Sequence, residues 1–454
     1  MSVPVKKNDD ITLEITGMTD EGSGVGRYEG FAVFVPYAMV GETVSVHIIK
    51  VTSSYAVGKL SSVLVSSENR VTPPCPVFRK CGGCALQHMS YKAQLDFKRQ
   101  KVKDALERIG GFAGIEVKPV LGMDEPLRYR NKGSFPFASI NGSPRWGLYA
   151  ERTHRLIETD DCVIESEESV SAANAVRAWA SENNVSVYDE ETGKGLLRHV
   201  VTRTMTGGTA VVVVTTGKLP NEKALVSHII SSVKNTVSIY HNINNKNTNV
   251  ICGDKYRLIW GEQNVIHNIL GLDFEVSPES FLQVNTHQTE KLYDIAVEGL
   301  ELNGSETCAD IFCGIGTISL LLAKKSASVV GVEYVERAVE DAKRNALRNG
   351  ISNAEFYSGA AEEVLPRLIE QGSRFDKAVL DPPRKGADAA VLRAVIASGA
   401  ERIAYVSCNP ATLARDLKIL SSAYKIDSVQ PVDMFAMSGH VETVVLLSKQ
   451  KIDR

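Results

Sequence analysis

Long apolar runs are missing from this sequence, and so is the apolar core of a signal peptide. The first ten residues, Met1-Ser-Val-Pro-Val-Lys-Lys-Asn-Asp-Asp10, are mostly polar or charged, whereas a signal peptide carries about 7–15 apolar residues in a row. No other stretch approaches the length needed to span a bilayer. The sequence therefore predicts a soluble, cytoplasmic protein with no membrane partner.

An excess of charge is also lacking, since 51 Lys and Arg face 54 Asp and Glu, for a net charge of −3. Such a balance gives no overall attraction to nucleic acid, so any contact with RNA depends on local basic clusters. Cysteine is sparse, at 8 of 454 residues, which is too few for a scaffold held together by disulfides. For a chain of this length we expect about two to four folded domains.

The order of strand and helix patterns divides the chain into three predicted domains. Residues 1–68 contain short alternating strands between glycine-rich turns, which is typical of a small OB-like β-barrel. Residues 69–270 mix both patterns and are predicted to form a central α+β domain. Within it, apolar spacing over 91–109 predicts a helix. We interpret its basic residues as a solvated face: Lys98, Arg99, Lys101 and Lys103.

Residues 271–454 alternate strands with helices. This alternation predicts an α/β, Rossmann-like domain with a doubly wound, mostly parallel sheet. Ligands of such sheets bind beyond the carboxyl ends of the strands, so functional residues are expected where the predicted strands end.

A glycine loop follows one of these strands in Asp310-Ile-Phe-Cys-Gly-Ile-Gly-Thr317. Its backbone can approach a ligand closely at Gly314 and Gly316. Glu333 ends the next strand about 20 residues on, where nucleotide-binding folds keep the carboxylate that binds ribose hydroxyls. Because Ser319 stands where dinucleotide-binding proteins have a third glycine, the loop favours adenosylmethionine over NAD. The alternative is a turn that needs glycine only for its geometry.

Cys408 is the strongest chemical signal. Asn409 can cap the following helix and Pro410 fits its first position. Cys408 then precedes a helix N-terminus, whose partial positive charge stabilises a thiolate. Asp381 ends another strand, just before two prolines, and Glu442 opens the last strand. All three are expected at the same edge of the sheet.

A thiolate, a carboxylate base and a methyl donor suit the methylation of uracil at C5. This carbon is a poor nucleophile until a thiolate such as Cys408 adds to C6. After the methyl group is transferred, a base such as Glu442 must remove the C5 proton so that the cysteine is expelled. The sequence therefore predicts a methyltransferase with a covalent intermediate.

Four further cysteines have the spacing of metal ligands. Cys75, Cys81 and Cys84 form a C-x5-C-x2-C motif, with Cys162 downstream. Four thiolates are the number that a [4Fe–4S] cluster takes. A zinc site with four cysteine ligands also fits the spacing, whereas a redox-active C-x-x-C pair would leave Cys75 and Cys162 unexplained.

A segment of mixed cations and aromatics is a candidate RNA contact. Arg128-Tyr-Arg-Asn-Lys132, with Phe135 beyond it, suits phosphate contact at Arg128, Arg130 and Lys132 and base stacking at Phe135. An exposed strand with solvated charges fits the pattern equally well. Arg384 and Lys385 follow Asp381 and are expected beside the pocket. The target uridine is expected to flip out of its RNA into that pocket.

Together these segments resemble the RNA uracil-5-methyltransferases, and among them the iron–sulfur-containing branch that acts on 23S ribosomal RNA. The resemblance covers nearly the whole chain. It rests on Phe281-Leu-Gln-Val-Asn285, the loop 310–317, Asp381-Pro-Pro-Arg384, Ser407-Cys-Asn-Pro410 and His440-Val-Glu442.

The resemblance implies a class I methyltransferase domain, an N-terminal RNA-binding TRAM domain and a [4Fe–4S] cluster on the four cysteines. It also implies that Gln283, Phe312, Glu333 and Asp381 contact S-adenosylmethionine or order the site around it. Cys408 would be the nucleophile and Glu442 the proton acceptor.

The expected function is methylation of a uridine of 23S ribosomal RNA by a monomer with no obligate protein partner. One alternative keeps the chemistry and takes a uridine of the tRNA T-loop as substrate. Alternatives of other classes are a cytosine-5 RNA methyltransferase and a noncatalytic iron–sulfur RNA-binding protein.

Overall fold

The computed structural model describes residues 3–450, so the outermost residues of the first and last predicted domains lie outside it. Near the N-terminus, five strands close into a barrel in the order β1-β2-β3-β5-β4. Alternate side chains of β1 (Ile11, Leu13 and Ile15) are buried inside it, as the period of two along a strand requires. The predicted OB-like barrel is confirmed. Its strands are β1 (Asp10–Met18), β2 (Gly24–Tyr28), β3 (Phe31–Val35), β4 (Thr43–Val51) and β5 (Tyr55–Val65).

The central part of the chain is built on a seven-stranded sheet of order β12-β11-β10-β9-β6-β7-β8. Helices α2 (Glu167–Glu182) and α3 (Glu222–Ser232) pack together, and α2 covers β9 and β10. A hairpin of β13 and β14 follows. The strands are β6 (Lys132–Ile140), β7 (Ser143–Tyr149), β8 (Leu156–Glu158), β9 (Leu197–Met205), β10 (Gly208–Thr215), β11 (Thr236–Ile243), β12 (Tyr256–Gly261), β13 (Val265–Ile269) and β14 (Leu272–Val276).

The C-terminal part forms a second seven-stranded sheet, of order β17-β16-β15-β18-β19-β21-β20. Strands β15 to β19 are parallel, and β21 runs antiparallel between β19 and β20. The predicted doubly wound sheet is therefore confirmed. Its strands are β15 (Thr307–Ile311), β16 (Ser328–Glu333), β17 (Ala354–Ser358), β18 (Lys377–Leu380), β19 (Arg402–Ser407), β20 (Tyr424–Val432) and β21 (Glu442–Lys449).

Helices cover both faces of this sheet and bury an apolar core on each. Helices α4 to α6 supply one face, while α7 to α9 supply the other. They are α4 (Thr286–Glu298), α5 (Thr317–Ala323), α6 (Glu336–Arg348), α7 (Ala361–Glu370), α8 (Ala389–Ser398) and α9 (Pro410–Leu420). Within residues 3–450, no helix combines the length and the apolar character that a membrane crossing requires.

Helix α1 (Tyr91–Ala105) corrects one expectation about the basic segment. The helix continues as a π-helical turn over Leu106–Gly110, and Val102 joins the core of the C-terminal sheet. Lys98 is fully buried, and its Nζ lies 2.6 Å from Asp433 Oδ1. The prediction of a solvated face is therefore wrong at Lys98, because the carboxylate of Asp433, which is far away in the sequence, compensates the buried charge.

Candidate active site

A cleft of about 1560 Å³ lies where the parallel strands of the C-terminal sheet end. The loops after β15, β18 and β19 and the start of β21 all reach it. It brings together residues that are far apart in the sequence, as expected for the carboxyl edge of such a sheet. The predicted site residues that line it are Arg130, Gln283, Phe312, Gly314, Glu333, Asp381, Arg384, Cys408 and Glu442.

The glycine loop is tied to the carboxylate that ends β16. The amide of Gly314 donates to Glu333 Oε2 at 3.0 Å, and the amide of Val335 donates to Glu333 Oε1 at 2.8 Å. Each oxygen is held by one backbone donor and can still accept another hydrogen bond. Gly316 has a different role. Its φ is 84°, and a Cβ there would lie 3.1 Å from that of Ala342, so the turn itself requires glycine. Gly316 is not among the described residues that line the cleft.

Asp310 is a cleft residue that the sequence analysis did not single out. Ser319, which interrupts the dinucleotide fingerprint, donates to Asp310 Oδ2 at 2.5 Å. Oδ1 is buried and has no hydrogen-bond partner within residues 3–450. Burial raises the pKa of Asp310 to about 7, and the bonds from Ser319 oppose this rise. A buried carboxyl with one unused oxygen suits the binding of a cationic group. The available signal was its position at the end of an apolar strand.

Cys408 lies between β19 and α9, as predicted. Asn409 Oδ1 accepts from the Ala411 amide at 3.0 Å, and Pro410 occupies the first turn of the helix. The thiolate prediction, however, is wrong for the protein alone. Burial, and after it the charge of Glu442, raise the pKa of Cys408 to about 11. Loss of hydration outweighs the opposing charge of Arg384, so the resting side chain is a thiol.

Glu442 and Asp381 are carboxyls whose pKa values are displaced toward neutrality. Burial, and then the charge of Asp381, raise the pKa of Glu442 to about 8, while Arg384 opposes the rise. Burial, and then Asp310, raise the pKa of Asp381 to about 7, although its side chain opens partly onto the cleft. Such carboxyls exchange protons near neutral pH, which is what a general base requires.

The four predicted ligand cysteines Cys75, Cys81, Cys84 and Cys162 line one small cavity. The loop that carries three of them is ordered by hydrogen bonds. The Cys75 amide donates to Gln87 Oε1 at 3.2 Å, and the Gly83 amide donates to Cys81 Sγ at 3.3 Å. Gly83 and Ile164 line both this cavity and the large cleft. In the described part of the chain, no group of three or more His, Cys, Asp or Glu side chains is arranged so that it could hold a metal ion.

Two of the predicted RNA contacts are engaged by carboxylates. Arg130 lines the cleft, and its Nε lies 3.0 Å from Glu165 Oε1. Arg128 binds Asp161 through both terminal nitrogens at 2.7 Å, and it also donates to the Cys162 carbonyl at 2.7 Å. Arg128 therefore stabilises the wall of the cysteine cavity, where Asp161 and Cys162 lie. Of the two arginines, only Arg130 lines the cleft.

Two further predicted contacts, Lys132 and Phe135, lie on β6. Burial, and then the charge of Arg203 on the neighbouring strand, lower the pKa of Lys132 to about 8. Phe135 is fully buried and packs edge-on against Trp146. The prediction that Phe135 stacks on a base is therefore wrong, because its ring belongs to the core of the central domain.

Two family matches cover most of the chain. Residues 247–450 match the tRNA (uracil-5-)-methyltransferase family, and residues 4–61 match the TRAM domain. An uncharacterized RNA methyltransferase of Clostridium tetani is 47% identical over 450 residues, which are 98% of both chains. Another from Halalkalibacterium halodurans is 46% identical over 448 residues, again 98% of both chains.

A solved structure has the same architecture. It is the tRNA (uracil-54, C5)-methyltransferase of Pyrococcus abyssi in complex with S-adenosyl-L-homocysteine, which is 30% identical with a TM-score of 0.78. The similarity covers 96% of this chain and 100% of the other.

Proposed function

Because the chain belongs to the tRNA (uracil-5-)-methyltransferase family, and is thus an RNA methyltransferase that uses S-adenosylmethionine, we propose that it methylates a uridine of 23S ribosomal RNA through a covalent adduct between Cys408 and C6. One observation carries the proposed mechanism. Cys408 shares a cleft with two carboxyls, Asp381 and Glu442, whose pKa values are raised toward neutrality.

The cleft suits S-adenosylmethionine, which carries a positive sulfonium and an ammonium group. Asp310, with its unused oxygen, and Asp381 would face that positive charge. Glu333 would accept the ribose hydroxyls, while Gln283, Phe312 and Gly314 would enclose the ligand. When bound, the donor supplies an electrophilic methyl group.

In the first step, the sulfur of Cys408 adds its electron pair to C6 of the flipped uracil. The C5–C6 double bond shifts toward the C4 carbonyl and forms an enolate, and the thiol proton leaves to water in the open part of the cleft. Arg384 lowers the pKa of the thiol against the effect of burial, so it favours the anion that attacks. Attack by the nucleophilic C5 of the enolate would then form the new bond to the methyl group as the bond between that group and the donor's sulfur breaks, so the leaving group is the neutral thioether of the donor.

In the second step, Glu442 accepts the proton from C5. The electrons of that C–H bond restore the C5–C6 double bond, and the sulfur of Cys408 is expelled. Its pKa of about 8 makes Glu442 a stronger base than an ordinary carboxylate. The accepted proton is later lost to water.

Turnover is expected to rise with pH between about 6 and 9, because Glu442 accepts a proton only when it is ionised. Its pKa of about 8 sets the midpoint. Asp381 raises this value and Arg384 lowers it, while Cys408 and Tyr293 face the same carboxylate as neutral groups. The measurement is kcat against pH with saturating RNA and donor. A flat wild-type profile over this range would exclude Glu442 as the base.

We further propose that Cys75, Cys81, Cys84 and Cys162 hold a [4Fe–4S] cluster. Support comes from the single small cavity that all four cysteines line, because four thiolates are the number of ligands that such a cluster takes. With four thiolate ligands the cluster has no open iron, so it would supply a rigid cross-link rather than a site for substrate.

Protein purified without oxygen is expected to be brown and to contain about four irons per chain. Cys81→Ser should lose the iron and the colour together, because one ligand is removed. Cys252→Ser is the matched control, since Cys252 is a partly buried cysteine outside the cavity. Iron content and visible absorbance provide the measurement. Colourless protein with stoichiometric zinc would contradict the cluster.

RNA is proposed to enter along the rim at Arg384 and Lys385, which are exposed at the cleft and have no ion-pair partner among residues 3–450. Lys385→Ala is expected to weaken RNA binding and to reduce the salt slope of log Kd by about one. Lys324→Ala is the matched control, because Lys324 ends α5 at the opposite edge of the sheet. An unchanged salt slope in Lys385→Ala would remove this rim from the interface.

The proposed substrate is 23S ribosomal RNA, and a tRNA uridine is a second candidate. The second is favoured by the Pyrococcus abyssi structure, a tRNA enzyme whose similarity extends along nearly the whole chain. Mass spectrometry of ribosomal and transfer RNA from cells lacking the gene tests the choice. We expect 5-methyluridine to disappear from 23S RNA and to persist in tRNA. The reverse pattern would assign the enzyme to tRNA.

We also propose that the enzyme acts as a monomer in the cytoplasm, since one chain supplies the barrel, the cysteine cavity and the whole cleft. The domain division near residues 68 and 270 is proposed on the same footing. It is supported at the first boundary by the end of the barrel at Val65.

A further inference from the structure

The segment 433–441 joins β20 to β21 and leads directly into Glu442. Three of its residues, Phe435, Ser438 and His440, line the cleft. This short connection therefore forms one wall of the site, and it also fixes the position of the backbone that carries the proposed base, Glu442. The position of Glu442 depends on what holds this segment.

Two buried side chains of α1 hold its first half. Lys98 Nζ donates to Asp433 Oδ1 at 2.6 Å and to the Phe435 carbonyl at 3.0 Å. Gln94 Oε1 accepts from the Met437 amide at 3.0 Å. Gln94 and Lys98 are four residues apart and so lie on one face of the helix.

The cysteine loop holds the middle of the segment. The amides of Ala85 and Leu86, directly after Cys84, both donate to the Met437 carbonyl, at 2.9 and 3.0 Å. Met437 has a φ of 67°, a conformation that a side-chain-bearing residue keeps only when its surroundings impose it. These bonds and the one from Gln94 supply that constraint.

Lys101, one turn beyond Lys98 on the same face of α1, holds the end of the segment. Its Nζ donates to the Gly439 carbonyl at 2.9 Å and to the Asp20 carbonyl at 3.0 Å. Asp20 belongs to the loop between β1 and β2 of the barrel. A single ammonium therefore links the TRAM barrel to the residues just before Glu442.

We propose that Lys101 is a positioning residue that sets the placement of Glu442 according to how the TRAM barrel is seated. The inference rests on the proposed methyl transfer, and it gives a role to Lys101, a residue that lies outside all of the sequence motifs. An RNA bound by both the barrel and the cleft would keep the Asp20 and Gly439 carbonyls close enough for Lys101 to bridge them. Proton removal from C5 is the step that depends on it.

The test compares Lys101→Met with Lys103→Met. Lys103 is two residues further along α1, where its side chain is 44% exposed and lies 4.0 Å from Glu107. Both variants lose one positive charge and keep a long side chain, so their general attraction to RNA is matched. Only Lys101→Met removes the link.

Two substrates separate the steps of the reaction. RNA with 5-fluorouridine forms the adduct but stops there, because fluorine cannot leave as a proton. Lys101→Met should trap this RNA at the wild-type rate and yet turn over ordinary RNA about 10-fold more slowly. Lys103→Met should match the wild type in both assays, and the KM for S-adenosylmethionine should be unchanged throughout.

Equal turnover of the two variants would overturn the inference. Equal slowing of adduct formation and turnover in Lys101→Met would also overturn it, because general damage to the cleft affects both steps. A wild-type protein that neither traps fluorinated RNA nor produces 5-methyluridine would instead refute the proposed function, independently of Lys101.

Discussion

Replacement of Cys408 by alanine is expected to abolish methyl transfer, with a fall in kcat/KM of about four orders of magnitude or more. Without the sulfur, C6 of the uracil gains no nucleophile, and C5 keeps too little electron density to take a methyl group. The fold should survive, because Cys408 is a small, partly exposed side chain at the end of β19. Transfer of labelled methyl to RNA measures the loss.

Cys313 provides the matched control for this experiment. It lines the same cleft but is only 5% exposed, and burial raises the pKa of its thiol well above the ordinary value. Cys313→Ala should therefore keep most of the activity. If Cys313→Ala were inactive and Cys408→Ala active, the nucleophile would have been assigned to the wrong thiol.

Glu442→Gln is expected to lower kcat by about 10²- to 10⁴-fold, the usual contribution of a general base. The amide keeps the volume of the carboxyl but cannot accept the C5 proton, so the methylated adduct should form and then persist. A protein–RNA band that survives denaturing electrophoresis reports it. Cys408→Ala should give no such band.

The control for Glu442→Gln is a second carboxylate at the same cleft. Glu279 also lines the cleft, and its carboxylate forms an ion pair with Arg337 at 3.1 Å. Its charge is not among those that shift the pKa of Cys408. Glu279→Gln should turn over at nearly the wild-type rate and leave no band. Rapid product release by Glu442→Gln would show that another group removes the proton.

The C-terminal sheet could be predicted from the sequence because its strands are buried on both faces. Fully buried parallel strands give continuous apolar runs that end in polar residues, as Arg402–Ser407 and the strand before Asp381 do. Those polar ends mark the carboxyl edge of the sheet. For this reason the sequence alone predicts that Cys408, Asp381 and Glu442 lie in one cleft.

What the sequence could not predict depends on burial by distant residues. From the sequence, the charge of Lys98 is predicted to be solvated, but in the structure it is paired with Asp433. Phe135 is predicted to stack on a base, but in the structure it packs against Trp146. The thiol of Cys408 has a raised pKa because the surrounding protein removes its water. Local spacing contains none of this information.

The glycine loop falls between these cases. Spacing alone predicts Gly314 and Glu333 as residues of the cleft, but it does not single out Asp310, because an aspartate at a strand end is usually solvated. Only the structure reveals that Ser319 holds one of its oxygens and leaves the other unused.

Peptide mass spectrometry of Glu442→Gln, after incubation with RNA and S-adenosylmethionine, tests the chemical mechanism most directly. The expected result is a methylated uridine nucleotide attached to the peptide that contains Cys408. A nucleotide on Cys313, or 5-methyluridine in the RNA with Cys408 unmodified throughout the time course, would contradict a covalent route through this thiol.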